Sequence, residues 1–271
     1  MPEKKMESRL LNTGDVELHL LTSGSPNGVP LVFLPGITSL AKSFNGIVER
    51  LPDSYYCVSV DMRGRGRSTH VKDHYRMSDY VSDVLAVVNL LIDNPISPIL
   101  VGHSMGARVA AAFATRYPKL VSGIVLVDPP IHGPGQRDEY PTPLDTFLYQ
   151  KRLADSGRRE AFQAQFPGLS EMLVQLREEE YQNVCVEAIV QSYDAFFTEP
   201  FHVYVKALDC PTLLLAAELG GTILDEEFQL LSRLNPAMEA IRVPGVGHMI
   251  YKDDPERFTD YVTQFVDKLA P

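Results

Sequence analysis

Apolar residues along this chain fall into short unbroken runs separated by longer amphipathic stretches. Strand-length runs occur at V-E-L-H-L-L (16–21), P-L-V-F-L (30–34), Y-C-V-S-V (56–60), P-I-L-V (98–101), G-I-V-L-V (123–127), T-L-L-L-A (212–216) and E-A-I-R-V (239–243). Most lack the alternation of a half-exposed strand. Continuous apolarity marks strands covered on both faces, as in a parallel sheet flanked by helices. Between the runs the period changes. Met77, Tyr80, Val81, Val84, Leu85, Val88, Leu91 and Ile92 recur at spacings of three and four, which predicts a helix over 77–92 with one buried stripe. The Ala-rich segment 107–117 reads as a second helix, ending before Pro118. A third, over 254–269, opens with Asp254 as cap and Pro255 in its first turn.

Residues 129–208 interrupt the alternation. They open with P-P-I-H-G-P-G, pass through Y-P-T-P, and continue in charged helical patterns such as L-V-Q-L-R-E-E-E-Y (173–181), without a buried-strand run. The pattern predicts an α/β core formed by 1–128 and 209–271, a mostly parallel central sheet flanked by helices. A helical cap, 129–208, is inserted after the sixth strand.

Composition narrows the function. A chain of 271 residues, 45% hydrophobic and 22% charged, suffices for one such core with an insertion. Its net charge of −10 argues against a nucleic-acid partner, which requires a dense basic patch to displace counterions. The local cluster R-G-R-G-R (63–67) is interleaved with glycine. Cys57, Cys185 and Cys210 are too few and too scattered for a disulfide framework or a zinc site. With no ligand cluster or dinucleotide fingerprint in view, no metal or organic cofactor is expected. The opening M-P-E-K-K-M-E-S-R-L has no apolar signal core, and no run approaches bilayer-spanning length. The expectation is a cytoplasmic protein acting on a small molecule, with no membrane partner.

The strongest chemical signal is G-H-S-M-G (102–106), between a predicted strand and a predicted helix. Glycines two residues either side let the chain make the sharp turn that presents Ser104 as a nucleophile at a helix N-terminus. A hydroxyl nucleophile needs a base. Of seven histidines, His248 follows V-P-G-V-G between the last strand and the last helix, where a loop can carry an imidazole over the serine. His103 adjoins Ser104, but its side chain is expected to point away across the turn. An oxyanion hole needs backbone N–H groups. Met105, after the nucleophile, supplies one, and Ile37 in L-P-G-I-T-S (34–39) the other. Arg108, one turn beyond Ser104, is a candidate for a substrate carboxylate, although a packing role is favoured. His132, opening the insertion, is a candidate pocket residue, although packing is favoured for it too.

The order of P-G-I-T, D-M-R-G-R-G-R-S (61–68), G-H-S-M-G, V-D-P-P and G-V-G-H resembles the α/β-hydrolase fold family over nearly the whole chain. The resemblance implies a Ser–acid–His triad and reads D-M-R-G-R-G-R-S as a structural turn, with Asp61 and Arg63 bonding locally. One departure is Pro35-Gly36 where the family usually has His-Gly. The donor there is a backbone N–H, so the change need not impair catalysis.

The acid is not where many members carry it, after the strand 212–216. That loop reads Ala217, Glu218, Leu219, Gly220. Two carboxylates remain, Glu218 on the loop itself and Asp128 at the end of the neighbouring strand. Strand ends about 4.8 Å apart let a carboxylate change strands and still reach His248. Asp128 is therefore favoured and Glu218 kept as the alternative, which leaves Gly220 and Gly221 without catalytic duty. L-V-D-P-P-x-x-G-P-G (126–135) is further similar to the N-formylmaleamate deformylases, a group of nicotinate breakdown. That similarity implies Asp128 as acid and hydrolysis of a formyl amide to formate and maleamate. A carboxylesterase, a C–C hydrolase, or a non-catalytic binding protein on the same scaffold are the competing readings.

Overall fold

A computed structural model of the protein describes residues 4–91 and 93–269. Among these, eight strands form one sheet: β1 (Glu7–Asn12), β2 (Glu17–Ser23), β3 (Val29–Leu34), β4 (Tyr55–Val60), β5 (Ile99–His103), β6 (Gly123–Val127), β7 (Thr212–Ala217) and β8 (Glu239–Val243). Their spatial order is β1-β2-β4-β3-β5-β6-β7-β8, parallel from β4 to β8 and antiparallel at β1 and β2. The seven predicted runs are all strands. The eighth, β1, carries no apolar run because it is an exposed edge held mainly by its ladder to β2, from Glu7↔Thr22 to Asn12↔Glu17.

The unbroken apolar runs are explained by the two faces of the sheet. Val32, Leu34, Leu100, Ile124, Leu126 and Leu214 face one core, which they share with α2 (Met77–Leu90) and α3 (Met105–Arg116). Their sequence neighbours Leu31, Phe33, Val101, Val125, Val127 and Leu213 face the other, packed with α1 (Asn45–Val48) and the final helix. Of the stripe predicted over 77–92, Ile92 lies outside the described residues.

Between β6 and β7 the chain forms α4 (Leu144–Asp155), α5 (Arg159–Gln163), α6 (Glu171–Gln182), α7 (Val186–Thr198) and α8 (Phe201–Ala207). After β7 come α9 (Asp225–Leu234), α10 (Ile250–Asp253) and α11 (Pro255–Leu269). As predicted, Asp254 caps α11, its Oδ1 accepting the Arg257 N–H at 3.0 Å. Phe147, Phe162, Val174, Tyr181, Ile189 and Phe196 of α4–α7 join the core of the α2–α3 face, so the cap has no separate interior.

The D-M-R-G-R-G-R-S turn fastens this cap. Gly66 N–H donates to the Asn183 carbonyl at 2.7 Å, and Cys185 N–H to the Gly64 carbonyl at 3.0 Å. The buried Arg65 guanidinium donates to Ser192 Oγ at 3.0 Å and to the Ile37 carbonyl at 3.0 Å, bridging the cap and the loop after β3. Its neighbours bond locally, Asp61 accepting the Arg67 N–H at 3.1 Å and the Arg63 carbonyl the Arg65 Nη1 at 2.8 Å, and also reach farther. Asp61 takes the Ala41 N–H and the His19 ring, each at 2.7 Å, and Arg63 holds Asp83 of α2 through two bonds of 2.6 and 2.7 Å.

Candidate active site

The register places the C-terminal ends of the central strands side by side. Leu34 pairs Gly102, His103 pairs Val127, and Val127 pairs Leu215. Ser104 follows β5 with φ 53° and ψ −116°, a strained conformation for a residue with a side chain. Its neighbours leave no room for one. A Cβ on Gly106 would lie 2.0 Å from the Leu34 carbonyl oxygen, and one on Gly102 would lie 2.3 Å from that of Gly106. The Ser104 N–H still donates to Val127 at 2.8 Å, so the strained turn is pinned to the sheet.

Asp128 stands one strand over, also at positive φ (45°) and with no solvent exposure. Its N–H donates to Leu215, at 2.8 Å, on β7. Its two carboxylate oxygens have separate duties. Oδ1 accepts the Ala217 N–H at 3.0 Å, and Oδ2 lies 2.7 Å from His248 Nδ1. A carboxylate only accepts, so Nδ1 carries the proton and Nε2 is left as an acceptor. Glu218 is elsewhere. It is exposed, and its Oε2 accepts the Gly245 N–H at 2.7 Å, closing the turn after β8.

The loop holding Gly220 and Gly221 is not idle. It returns Thr222 to the site, with Oγ1 3.1 Å from His248 Nδ1, so Thr222 is a second, longer acceptor beside Asp128 for the one Nδ1 proton. His103 does not point away either. Its Nε2 donates to the His248 carbonyl at 3.0 Å and its ring lies 4.7 Å from the His248 ring. Burial, with His248 beside it, holds its pKa well below the ordinary imidazole range, so it serves as a neutral donor.

Two candidates lie away from the cavity. Arg108 is wholly buried between the Phe196 and Phe201 rings, 5.6 Å from each. Its guanidinium donates to the carbonyls of Pro130 (2.6 Å), His132 (3.3 Å), Ala195 (3.2 Å) and Glu199. It ties the start of the cap to the end of α7, and burial lowers its pKa to about 10. It is therefore a packing cation with no free face for a substrate. His132 is likewise buried, its Nε2 donating to the Glu139 carbonyl at 2.7 Å, and its pKa is pushed down to about 4. Its ring packs against Phe197, at 5.6 Å, and Tyr140, edge-on at 5.3 Å.

Tyr140 is the site residue that sequence reasoning missed. Its phenol lies against Ser104 and Thr222, and burial together with the Asp128 charge raises its pKa, keeping it protonated. The Y-P-T-P segment signalled only a turn, because nothing local in it reports a contact with β5.

Ile37 and Met105 complete the nucleophile's surroundings. The Ile37 carbonyl is turned onto Arg65, and Gly36 lies against the serine, where a Cβ would be 3.4 Å from that of Ser104. Among the described residues, neither the Ile37 nor the Met105 N–H has a protein acceptor. A cavity of about 360 Å³ opens here, walled by Ile37, Ser104, His248 and Tyr140 and, from the cap, by Phe147 and Arg177. Among the described residues no group of three or more His, Cys, Asp or Glu side chains is placed to ligate a metal, and no helix is long and apolar enough to cross a membrane.

A model of the alpha/beta hydrolase family matches residues 31–261. The chain belongs to the α/β-hydrolase family. Within it, the chain is 33% identical over 261 residues to N-formylmaleamate deformylase of Pseudomonas putida, covering 95% of each. It is 28% identical over 272 residues to 2-(acetamidomethylene)succinate hydrolase of Mesorhizobium japonicum, covering 96% of this chain and 95% of that one. A crystal structure of an N-formylmaleamic acid deformylase from Pseudomonas putida superposes with a TM-score of 0.86 at 28% identity, covering 95% of this α/β-hydrolase and 100% of the other.

Proposed function

We propose that this α/β-hydrolase is a serine hydrolase that cleaves a small N-formyl amide, with N-formylmaleamate as substrate and maleamate and formate as products. The observation that carries the reading is the 2.7 Å contact of buried Asp128 with His248, which walls the same cavity as Ser104. Asp128 orients the imidazole and stabilises its charged form. His248 Nε2 takes the Ser104 proton as the hydroxyl oxygen bonds to the formyl carbon. The resulting oxyanion is met by the Ile37 and Met105 N–H groups, each worth about 3–4 kcal/mol at the transition state. Collapse breaks the C–N bond, and His248 returns the proton to the departing amide nitrogen. Water, activated by the same imidazole, then attacks the formyl ester and releases formate and free Ser104.

The 33% identity to a deformylase over nearly the full chain supports the formyl substrate; a place in nicotinate degradation and in the cytoplasm belongs to the same proposal. A second reading comes from the relative named for an acetamide substrate. It predicts acetate in place of formate and requires the cavity to admit one more methyl. Incubating the purified protein with N-formyl and N-acetyl amides and assaying formate and acetate separates the two. Ser104→Ala abolishes release under either. A chain that only binds ligands releases neither acid, and an esterase cleaves short esters while sparing both amides.

A further inference from the structure

The cavity wall carries a charge arrangement that acyl transfer does not use. Glu180 of α6 is wholly buried and has three partners: Ser43 Oγ donates to Oε1 at 2.5 Å, Lys252 Nζ donates to Oε1 at 3.1 Å, and Arg177 Nη1 donates to Oε2. Two cations thus share one carboxylate, and both Arg177 and Lys252 line the cavity. Asp253 also lines it, but that carboxylate is exposed and turned onto the Gly247 N–H at 2.7 Å. Within the buried cluster one positive charge is left over, offset only by the exposed Asp253 beside Lys252, and a sheltered cation so weakly compensated is costly.

The geometry of Arg177 says how that charge is presented. Its flat faces pack near the rings of Tyr181 (5.0 Å) and Phe166 (5.8 Å), so an incoming group meets its edge. Nη1 on that edge is committed to Glu180, whereas Nη2 meets the neutral Thr38 Oγ1, at 3.2 Å, with the Tyr181 hydroxyl beside them. Thr38 accepts that bond, so its own hydroxyl proton is left to donate, either to the neighbouring Tyr181 oxygen or to a ligand. It is also the residue after Ile37, which places the cation one residue from an oxyanion donor. An edge-on guanidinium beside a hydroxyl matches a carboxylate, and an ammonium such as Lys252 is a poorer match.

We propose that Arg177, assisted by Thr38, anchors a carboxylate carried by the substrate. The substrate class is then short acyl compounds with an anionic far end, held in one cavity with the reacting carbonyl at Ser104. The inference rests on reading this cavity as the acyl-transfer site. Recognition has to be local, because a net charge of −10 draws no anion from a distance.

The test is calorimetric binding to the full chain of maleamate and of maleamide, its uncharged counterpart. A charged hydrogen bond of this kind should make maleamate bind at least roughly tenfold more tightly than maleamide. Arg177→Gln should bring that ratio to within about threefold of unity, and Arg177→Lys should leave it in between. Should Arg177→Gln fail to fold, the lowered ratio is read from Arg177→Lys alone. Equal binding of the two ligands to the unaltered protein overturns the proposal. So does a variant that weakens both ligands equally, since the cluster would then only bolt the cap to the core. A protein that prefers maleamate through Arg177 but frees no formate from N-formylmaleamate supports the carboxylate anchor and defeats the deformylase reading.

Discussion

Replacing Asp128 by asparagine keeps the shape of the side chain and removes its charge. Both carboxylate oxygens now accept, one from the Ala217 N–H at 3.0 Å and the other from the His248 Nδ1–H at 2.7 Å. An amide offers one acceptor and one donor. If its oxygen serves Ala217, its N–H₂ faces Nδ1 and drives the ring proton to Nε2, which can then no longer accept from Ser104. If its oxygen serves His248, two donors confront each other in a site with no solvent exposure, at a cost of about 1–3 kcal/mol. The first arrangement is cheaper and inactivating. Loss of the equivalent charge in a serine triad lowers kcat by about 10⁴, or about 5.5 kcal/mol of transition-state stabilisation. The assay is steady-state kcat on the cleaved amide, with the melting temperature of each variant as a folding control. Glu218→Gln, which alters an exposed carboxylate bonded to Gly245, should change kcat less than twofold. Near-normal turnover by Asp128→Asn together with a loss of several orders of magnitude in Glu218→Gln would refute the assignment.

Two further outcomes follow from packing and from burial. Gly106→Ala forces a methyl to within 2.0 Å of the Leu34 carbonyl oxygen, backbone that cannot yield cheaply. It should lower stability by about 3 kcal/mol and Tm by roughly 6–12 °C; an unchanged melting curve contradicts the close approach of β3 to α3. The second concerns acid. His132 titrates near pH 4 and His103 well below its ordinary value, so below about pH 6.5 the unfolded chain binds protons that the folded chain refuses. Stability is full above that pH and falls as pH drops toward 4, His132 accounting for a loss on the order of 2 kcal/mol by pH 5. Denaturant titrations at pH 7 and pH 5 should show the drop, and His132→Gln should shrink it; an equal drop in the variant removes His132 as its cause.

What the sequence made legible were the features that local chemistry decides. Ser104 and its flanking glycines announce a turn that only small neighbours permit, and a V-D at a strand end, beside a loop with Gly220 where the family's acid is usual, points to Asp128. Features fixed by distant contacts left no local trace. Tyr140 reaches Ser104 across the cap, and Thr222 touches His248 only because the Gly220–Gly221 turn folds back. L-V-Q-L-R-E-E-E-Y resembles a solvated helical face, yet it buries Glu180 between Arg177 and Lys252, a residue 72 positions away. Arg108 and His132 take the packing roles that their sequence settings favour over ligand binding. A cation or an imidazole near a nucleophile can suggest a ligand, whereas here carbonyls at the start of the cap and the end of α7 take the Arg108 guanidinium and the Glu139 carbonyl takes the His132 ring.

The central claim is that Ser104, His248 and Asp128 transfer a formyl group from an amide nitrogen to water. Its most direct measurement is formate released from N-formylmaleamate by the purified chain and by Ser104→Ala, run alongside a short ester. Stoichiometric formate from the unaltered protein, and none above background from the variant, is the predicted result. Ester hydrolysis without formate, or formate release that survives Ser104→Ala, contradicts it.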